Sequence, residues 1–381
     1  MGAREELSKY LAQRISELRG LKRKGKKVVG YAPGGYMPEE LVYACDAIPV
    51  ELVRGGDHEP TAVSGSYLPR FIDTFCRSQI GYRVLGEEPL YNMVDLAVIP
   101  QTDNNIKAIA DCWNFYTNAD VFRFSIPHNK SDTAFKYYLD GIYLLREKLE
   151  NLTGVKITDE KLREVIGKYN RVRKLLREVS LLRKSERASI SGGEFVRLHH
   201  ALAYADISAA GEMLELRYEE LKQEQRNAPI KFPRLLLTAS TLAMGDYKIL
   251  NLVGETGADI VVEHIDEGMK PYWNEVKYDT DPMQALAEMY FMERVPPASF
   301  RPSRERLDFI IKLARDFKID GIIWYQLMYR SSYDLQSFYF TEILKRELKI
   351  PMLKVQSDYD IAEIAPLRTR VEAFIETLRR E

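Results

Sequence analysis

The chain has 381 residues, 45% hydrophobic and 29% charged, enough for two or three domains whose cores need no staples. Its 55 basic and 56 acidic side chains leave a formal net charge of −1, which gives no overall field to recruit nucleic acid or an anionic membrane. No run approaches about 18 consecutive apolar residues, the charged N-terminus lacks a signal-peptide core, and three cysteines make no disulfide framework, so a cytoplasmic chain is expected.

Leu7, Leu11, Ile15 and Leu18 predict an amphipathic helix over 4–24. The basic run Lys22–Lys27 has no interleaved aromatic and reads as a solvated connector. A buried strand follows at Lys27–Tyr31, and Pro38 with Glu39 and Glu40 marks a helix start, acids lying at the positive helix end. A short apolar piece, Ile48–Val53, precedes a turn at Gly55-Gly56-Asp57. Val94–Pro100 predicts a strand, Thr102–Asn105 the capped start of a helix, and Val121–Ile126 a further strand. From about 131 to 228 only helical patterns occur, with Thr158–Glu160 as a cap and Ser191-Gly192-Gly193 as a break. Strands resume at Arg234–Leu237, Asp259–Val262, Gly321–Tyr325 and Pro351–Val355, with helices near 245–253, 283–291, 303–316, 335–347 and 366–379. The predicted fold class is α/β: two Rossmann-like lobes with mostly parallel sheets, 1–130 and 229–381, joined by a helical connector over 131–228.

Common chemical signatures are absent. There is no G-x-G-x-x-G after a strand, no P-loop, no C-x-x-C, no H-E-x-x-H and no G-x-S-x-G. The five histidines lack ligand spacing, and the adjacent His199 and His200 point about 100° apart on a helix, so packing or a surface position is the expected role. Ligands of open α/β sheets bind outside the carboxyl ends of the strands. Five segments fall there: Gly34–Glu39, Phe75–Ser78, Gln101–Asn104, Ala239–Gly245 and Met328–Tyr333. Together they offer a thiol, a carboxylate, a guanidinium and helix N-termini, which suits a ligand with anionic groups.

At these segments the chain resembles the D-component family of 2-hydroxyacyl-CoA dehydratases and benzoyl-CoA reductases, which also contains the double-cubane cluster proteins. The stretches that carry the resemblance are Lys27–Tyr31 with Met37–Leu41, Tyr43–Val50, Phe75-Cys76, Asp95–Pro100, Ile157–Glu160 with Ser191-Gly192, Asp320–Ile323, and the closing run Ile350–Tyr359 with Leu367–Glu376. The resemblance covers roughly 22–380 and implies paired, related subunits. It also implies one-electron reduction of an acyl-CoA, by a lyase or an oxidoreductase, with electrons from an ATP-dependent activator protein.

Relatives that hold an iron–sulfur cluster do so with three cysteines from three loops. The matching positions here are Cys76, Asp103 and Arg330, so two thiolates are missing, and a guanidinium cannot ligate iron. Cys45 and Cys112 lie roughly 10–13 Å down their helices from the loop ends and read as small buried hydrophobes. The expectation is a subunit that binds no [4Fe–4S] cluster alone, lines the acyl-CoA cleft with Tyr36, Arg54 and Arg330, and forms a heterodimer with a cluster-carrying relative. Two alternatives stay open: a complete enzyme with an unusual cluster site that includes Cys76, and a non-catalytic homodimer that binds acyl-CoA or stabilises a complex. Arg330 has three candidate partners, Asp103, an anionic group of the ligand, or the second subunit; the pairing with Asp103 is the favoured one.

Overall fold

The structure, a computed structural model, describes residues 3–186, 188–224, 232–278 and 280–379. Helix α1 (Ala3–Arg23) leads into the first lobe: β1 (Val28–Tyr31), α2 (Glu39–Ala44), β2 (Ile48–Glu51), α3 (His58–Val63), α4 (Thr74–Leu85), α5 (Pro89–Met93), β3 (Leu96–Gln101), α6 (Asn104–Tyr116) and β4 (Asp120–Ser125). Four helices follow, α7 (Asp132–Thr153), α8 (Asp159–Leu182), α9 (Gly192–Leu202) and α10 (Ile207–Gln223). The second lobe holds β5 (Arg234–Thr241), α11 (Lys248–Glu255), β6 (Asp259–Glu267), α12 (Pro282–Ala287), α13 (Ser303–Asp316), β7 (Gly321–Leu327), α14 (Ser331–Leu348), β8 (Met352–Ser357) and α15 (Ile364–Arg379). The expected boundary at 228/229 lies outside the described residues. No described helix is long and apolar enough to cross a membrane.

Both sheets are four-stranded and wholly parallel, ordered β2-β1-β3-β4 and β6-β5-β7-β8. The inner strands are apolar on both faces because helices cover both. β1 and β7 are buried at every position, and β3 at all but its last. In each sheet the strand order reverses beside the first strand, so a crevice opens between the carboxyl ends of β1 and β3, and another between those of β5 and β7. One core joins Val29, Leu96 and Val98 of the first sheet, α7 to α10, and Leu235 and Leu237 of the second. The connector helices are thus packed into both lobes.

Two local expectations change. Residues 57–93, whose pattern suggests only a turn and a loop, form α3, α4 and α5; the buried face of α4 includes Ser78 and Gln79, so it has no unbroken apolar stripe to detect. β5 runs on to Thr241, because its polar end pairs with β6 through Thr241 and Glu267.

The lobes also join through backbone. Gly55 N–H donates to Met244 O at 3.0 Å and Met244 N–H to Val53 O at 2.9 Å. Gly56 (φ 87°) and Gly245 (φ 115°) sit here, and a Cβ on Gly56 would lie 2.6 Å from the carbonyl carbon of Gly245. Only glycine permits that approach.

Candidate functional site

Arg330 is the centre of the interlobe site. It stands at the end of β7, next to Tyr329, whose left-handed backbone (φ 69°) turns the chain sharply at a cost of about 1–2 kcal/mol. Its side chain is only 1% exposed. Three carboxylates surround it: Asp73 at 3.2 Å, Asp103 at 3.2 Å, and Glu267 in closer contact still. The Tyr333 ring lies 5.3 Å from its guanidinium carbon.

Each acid is itself fixed by an element end. Asp73 caps α4 by accepting from Cys76 N–H at 2.8 Å, and its own N–H donates to Asn105 at 3.0 Å. Asp103 caps α6 by accepting from Ile106 N–H at 2.9 Å. Glu267 ends β6 and accepts from Thr241 Oγ1 at 2.7 Å. First-lobe acids therefore close on a second-lobe cation. Burial pushes the Glu267 carboxyl up to about 7, against the pull of Arg330 and with the help of Asp103. One guanidinium does not neutralise three ionised acids in so dry a place, so a proton on Glu267 eases the excess.

The expected Asp103–Arg330 pair is present, and Cys76, Asp103 and Arg330 do converge. Cys76 is fully buried, and burial, then Asp73, pushes its thiol well above the usual range. The donor set does not fit a [4Fe–4S] cluster: a cation sits among the candidate ligands, and the thiol stays protonated. Among the described residues no group of three His, Cys, Asp or Glu is arranged to hold a metal ion. Cys45 and Cys112 are buried and free, with thiols pushed up to about 11 by burial.

Tyr36 and Arg54 lie elsewhere. Tyr36 is buried, stacked on Phe300 (centroids 5.5 Å apart) with the Arg294 guanidinium 4.8 Å from its ring. Arg54 is partly exposed and pairs with Asp57 at 3.1 Å.

A cavity of about 110 Å3 lies between the lobes, walled by Tyr31, Glu39, Glu51, His199, Lys270 and Arg294 among others. Lys270 Nζ contacts Glu39 at 2.9 Å, and Glu39 and Glu51 keep it protonated against the cost of burial. Burial pushes Glu51 up to about 7, Lys270 opposing. His199 Nε2 faces Lys270 O at 3.2 Å and must donate to it, so Nδ1 is a bare acceptor with no partner. This arrangement offers a proton donor or acceptor near neutral pH, a cation and an acceptor in one dry space.

Because the folded Glu51 binds its proton more tightly than the unfolded chain does, its contribution to stability is present below about pH 4.5 and is lost as pH rises through 7. Glu51→Gln is therefore expected to flatten the fall in stability between pH 5 and 8 by on the order of 3 kcal/mol. Urea melts of both proteins at several pH values check this; parallel pH profiles would refute it.

Sequence reasoning missed Asp73, Glu267, Glu51 and Lys270. Asp73 had a signal, an acid placed to cap the helix carrying Cys76, and Glu51 and Glu267 are the last residues of their strands.

The sequence profile described as "2-hydroxyglutaryl-CoA dehydratase, D-component" matches residues 35–378. The chain belongs to that family. It is 26% identical to the (R)-phenyllactyl-CoA dehydratase beta subunit of Clostridium sporogenes over 367 residues, 95% of this chain and 94% of that one. It is 24% identical to a subunit of the benzoyl-CoA reductase of Thauera aromatica (93% and 91% covered). It is also 24% identical to the (R)-2-hydroxyglutaryl-CoA dehydratase beta subunit of Acidaminococcus fermentans (98% and 98%). A solved structure, the SBP FpvC of Pseudomonas aeruginosa in complex with Mn2+, aligns at a TM-score of 0.23 and 11% identity over 93% and 99% of the chains, too low to bear on fold or function.

Proposed function

We propose that this chain is one subunit of a cytoplasmic, heteromeric acyl-CoA dehydratase or reductase. It works beside a related subunit that carries the iron–sulfur cluster, with an ATP-dependent activator supplying electrons. The supporting relatives are themselves named as subunits of such enzymes and align over more than nine-tenths of their length. The observation that carries the division of labour is the arginine–carboxylate cage at Arg330, where cluster ligands would otherwise stand. In this reading Arg330 closes the cleft, Tyr36 backs the cavity wall through Arg294, and Arg54 belongs to a second opening. Glu51 holds or accepts a proton beside whatever acyl group enters the cavity. No redox step is assigned to this chain's own residues.

The test is anaerobic expression of the chain alone and with candidate family partners, followed by pull-down and iron and sulfide analysis. Iron should be far below cluster stoichiometry in the chain alone and should follow the partner. About four irons per chain in the isolated protein would instead support a complete enzyme. A homodimer that binds acyl-CoA and captures no relative would support the non-catalytic reading.

A further inference from the structure

Large apolar side chains that the cores leave out gather along one line of the surface. In the first lobe they are Phe71, Phe115 and Tyr116; in the second they are Tyr329 and, on one face of α14, Leu335, Phe338 and Tyr339. Each is between 45% and 79% exposed. Ring contacts and hydrogen bonds trace the line. Tyr116, at the end of α6, packs on Phe115 (centroids 4.8 Å apart) and edge-on against Tyr67 (5.0 Å). From Tyr67 the chain runs back past Phe71 to Asp73, whose N–H donates to Asn105 in the first turn of α6. Asn105 Nδ2 in turn donates to Tyr329 O at 3.3 Å, immediately ahead of Arg330 and α14. The stripe therefore crosses the seam between the lobes beside the Arg330 cage.

Its size and its placement point to what covers it. These seven side chains together expose on the order of 900 Å2. The largest apolar patch on a monomer is about 300–600 Å2, whereas each partner in a standard interface contributes about 800 Å2. The two ends of the stripe also stand on equivalent elements. Helix α6 joins β3 to β4 as α14 joins β7 to β8, and the strand orders of the two sheets match. A second chain turned about a twofold axis near the cage would set its α14 against α6 and its α6 against α14, so one operation closes both ends. A short peptide or a lone helix would cover one end only.

We propose that this stripe is a subunit interface, and that a second copy of the chain, related by a twofold axis, occupies it in the isolated protein. Exposed charges of both signs, Lys107 and Asp111 on α6 and Glu342 and Lys345 on α14, flank the apolar side chains, which gives the apolar centre and charged rim of such a contact. The inference goes beyond the reading above, which requires a partner but assigns it no surface.

The experiment is sedimentation velocity on the full chain and on two charged variants, with circular dichroism as the check on folding. The unmodified chain should be a dimer at about 50 μM, since interfaces of this size have Kd values of about micromolar or below. Leu335→Glu with Phe338→Glu, or Phe71→Lys with Phe115→Lys, should weaken the dimer at least about tenfold and leave the spectrum unchanged, all four positions being exposed. Mixing the two variants should restore dimers, because one contact then sets glutamates against lysines and the other is unaltered. A monomeric unmodified chain would overturn the proposal, as would variants that still dimerise or a mixture that stays monomeric. Failure to capture a family relative, by contrast, counts against the heteromeric reading alone.

Discussion

Arg330→Ala is expected to cost about 3–5 kcal/mol of folding stability at pH 8, because it strands buried acids that share one cation. Asp73 and Glu267 are almost wholly buried and Asp103 is 18% exposed, so the first two carry most of the penalty. Protonation relieves such stranded groups. The loss should therefore shrink at pH 5.5, where Glu267, already pushed up to about 7, is neutral. A double-mutant cycle with Asp103 measures one arm of the cage. Asp103→Ala also deletes the cap on Ile106, worth about 1 kcal/mol, whereas Asp103→Ser keeps a capping oxygen and removes only the charge. Coupling between Arg330→Ala and Asp103→Ser should be positive and larger than the 0.2–1 kcal/mol or so of exposed pairs. Denaturant melts giving strict additivity, or a total loss under about 1 kcal/mol, would show that the cage does not hold the lobes.

A comparable loss is expected at Arg173 on α8. Its guanidinium contacts Glu40 of α2 at 2.6 Å and the Tyr290 hydroxyl at 2.7 Å, and Tyr290 in turn donates to Glu40 at 2.8 Å. First lobe, connector and second lobe meet at one buried triangle. Arg173→Ala leaves the Glu40 carboxylate, which has no exposed surface, without its cation and should cost about 3–5 kcal/mol. Arg173→Met combined with Glu40→Gln leaves no charge behind and should cost clearly less than Arg173→Ala alone. If the double variant were the less stable of the two, packing rather than ion pairing would explain the site.

The strands could be read because parallel strands covered on both faces are short apolar runs, as at Leu96–Ile99 and Gly321–Tyr325. The caps at Asp103 and Thr158 were legible because they depend on local chemistry, whereas the capping box of Ser191 with Glu194 lies where the sequence showed only a break. The pairing of Asp103 with Arg330 was legible only through the family resemblance, since 227 residues separate the two. Asp73 and Glu267 show the opposite case. Each looks like an ordinary acid at an element end, and only the meeting of two sheets turns them into partners of one guanidinium. Glu51 and Lys270 were hidden for the same reason: their chemistry comes from the space between the lobes, which no window of sequence contains.

A cage of carboxylates around a guanidinium has no oxidation state. Its assembly draws on nothing but the chain itself, so closing the lobes at Arg330 requires no supply of inorganic sulfide, no delivery of iron and no shelter from air. Under the proposed division of labour, exposure to oxygen should therefore leave this chain's own closure at Arg330 intact.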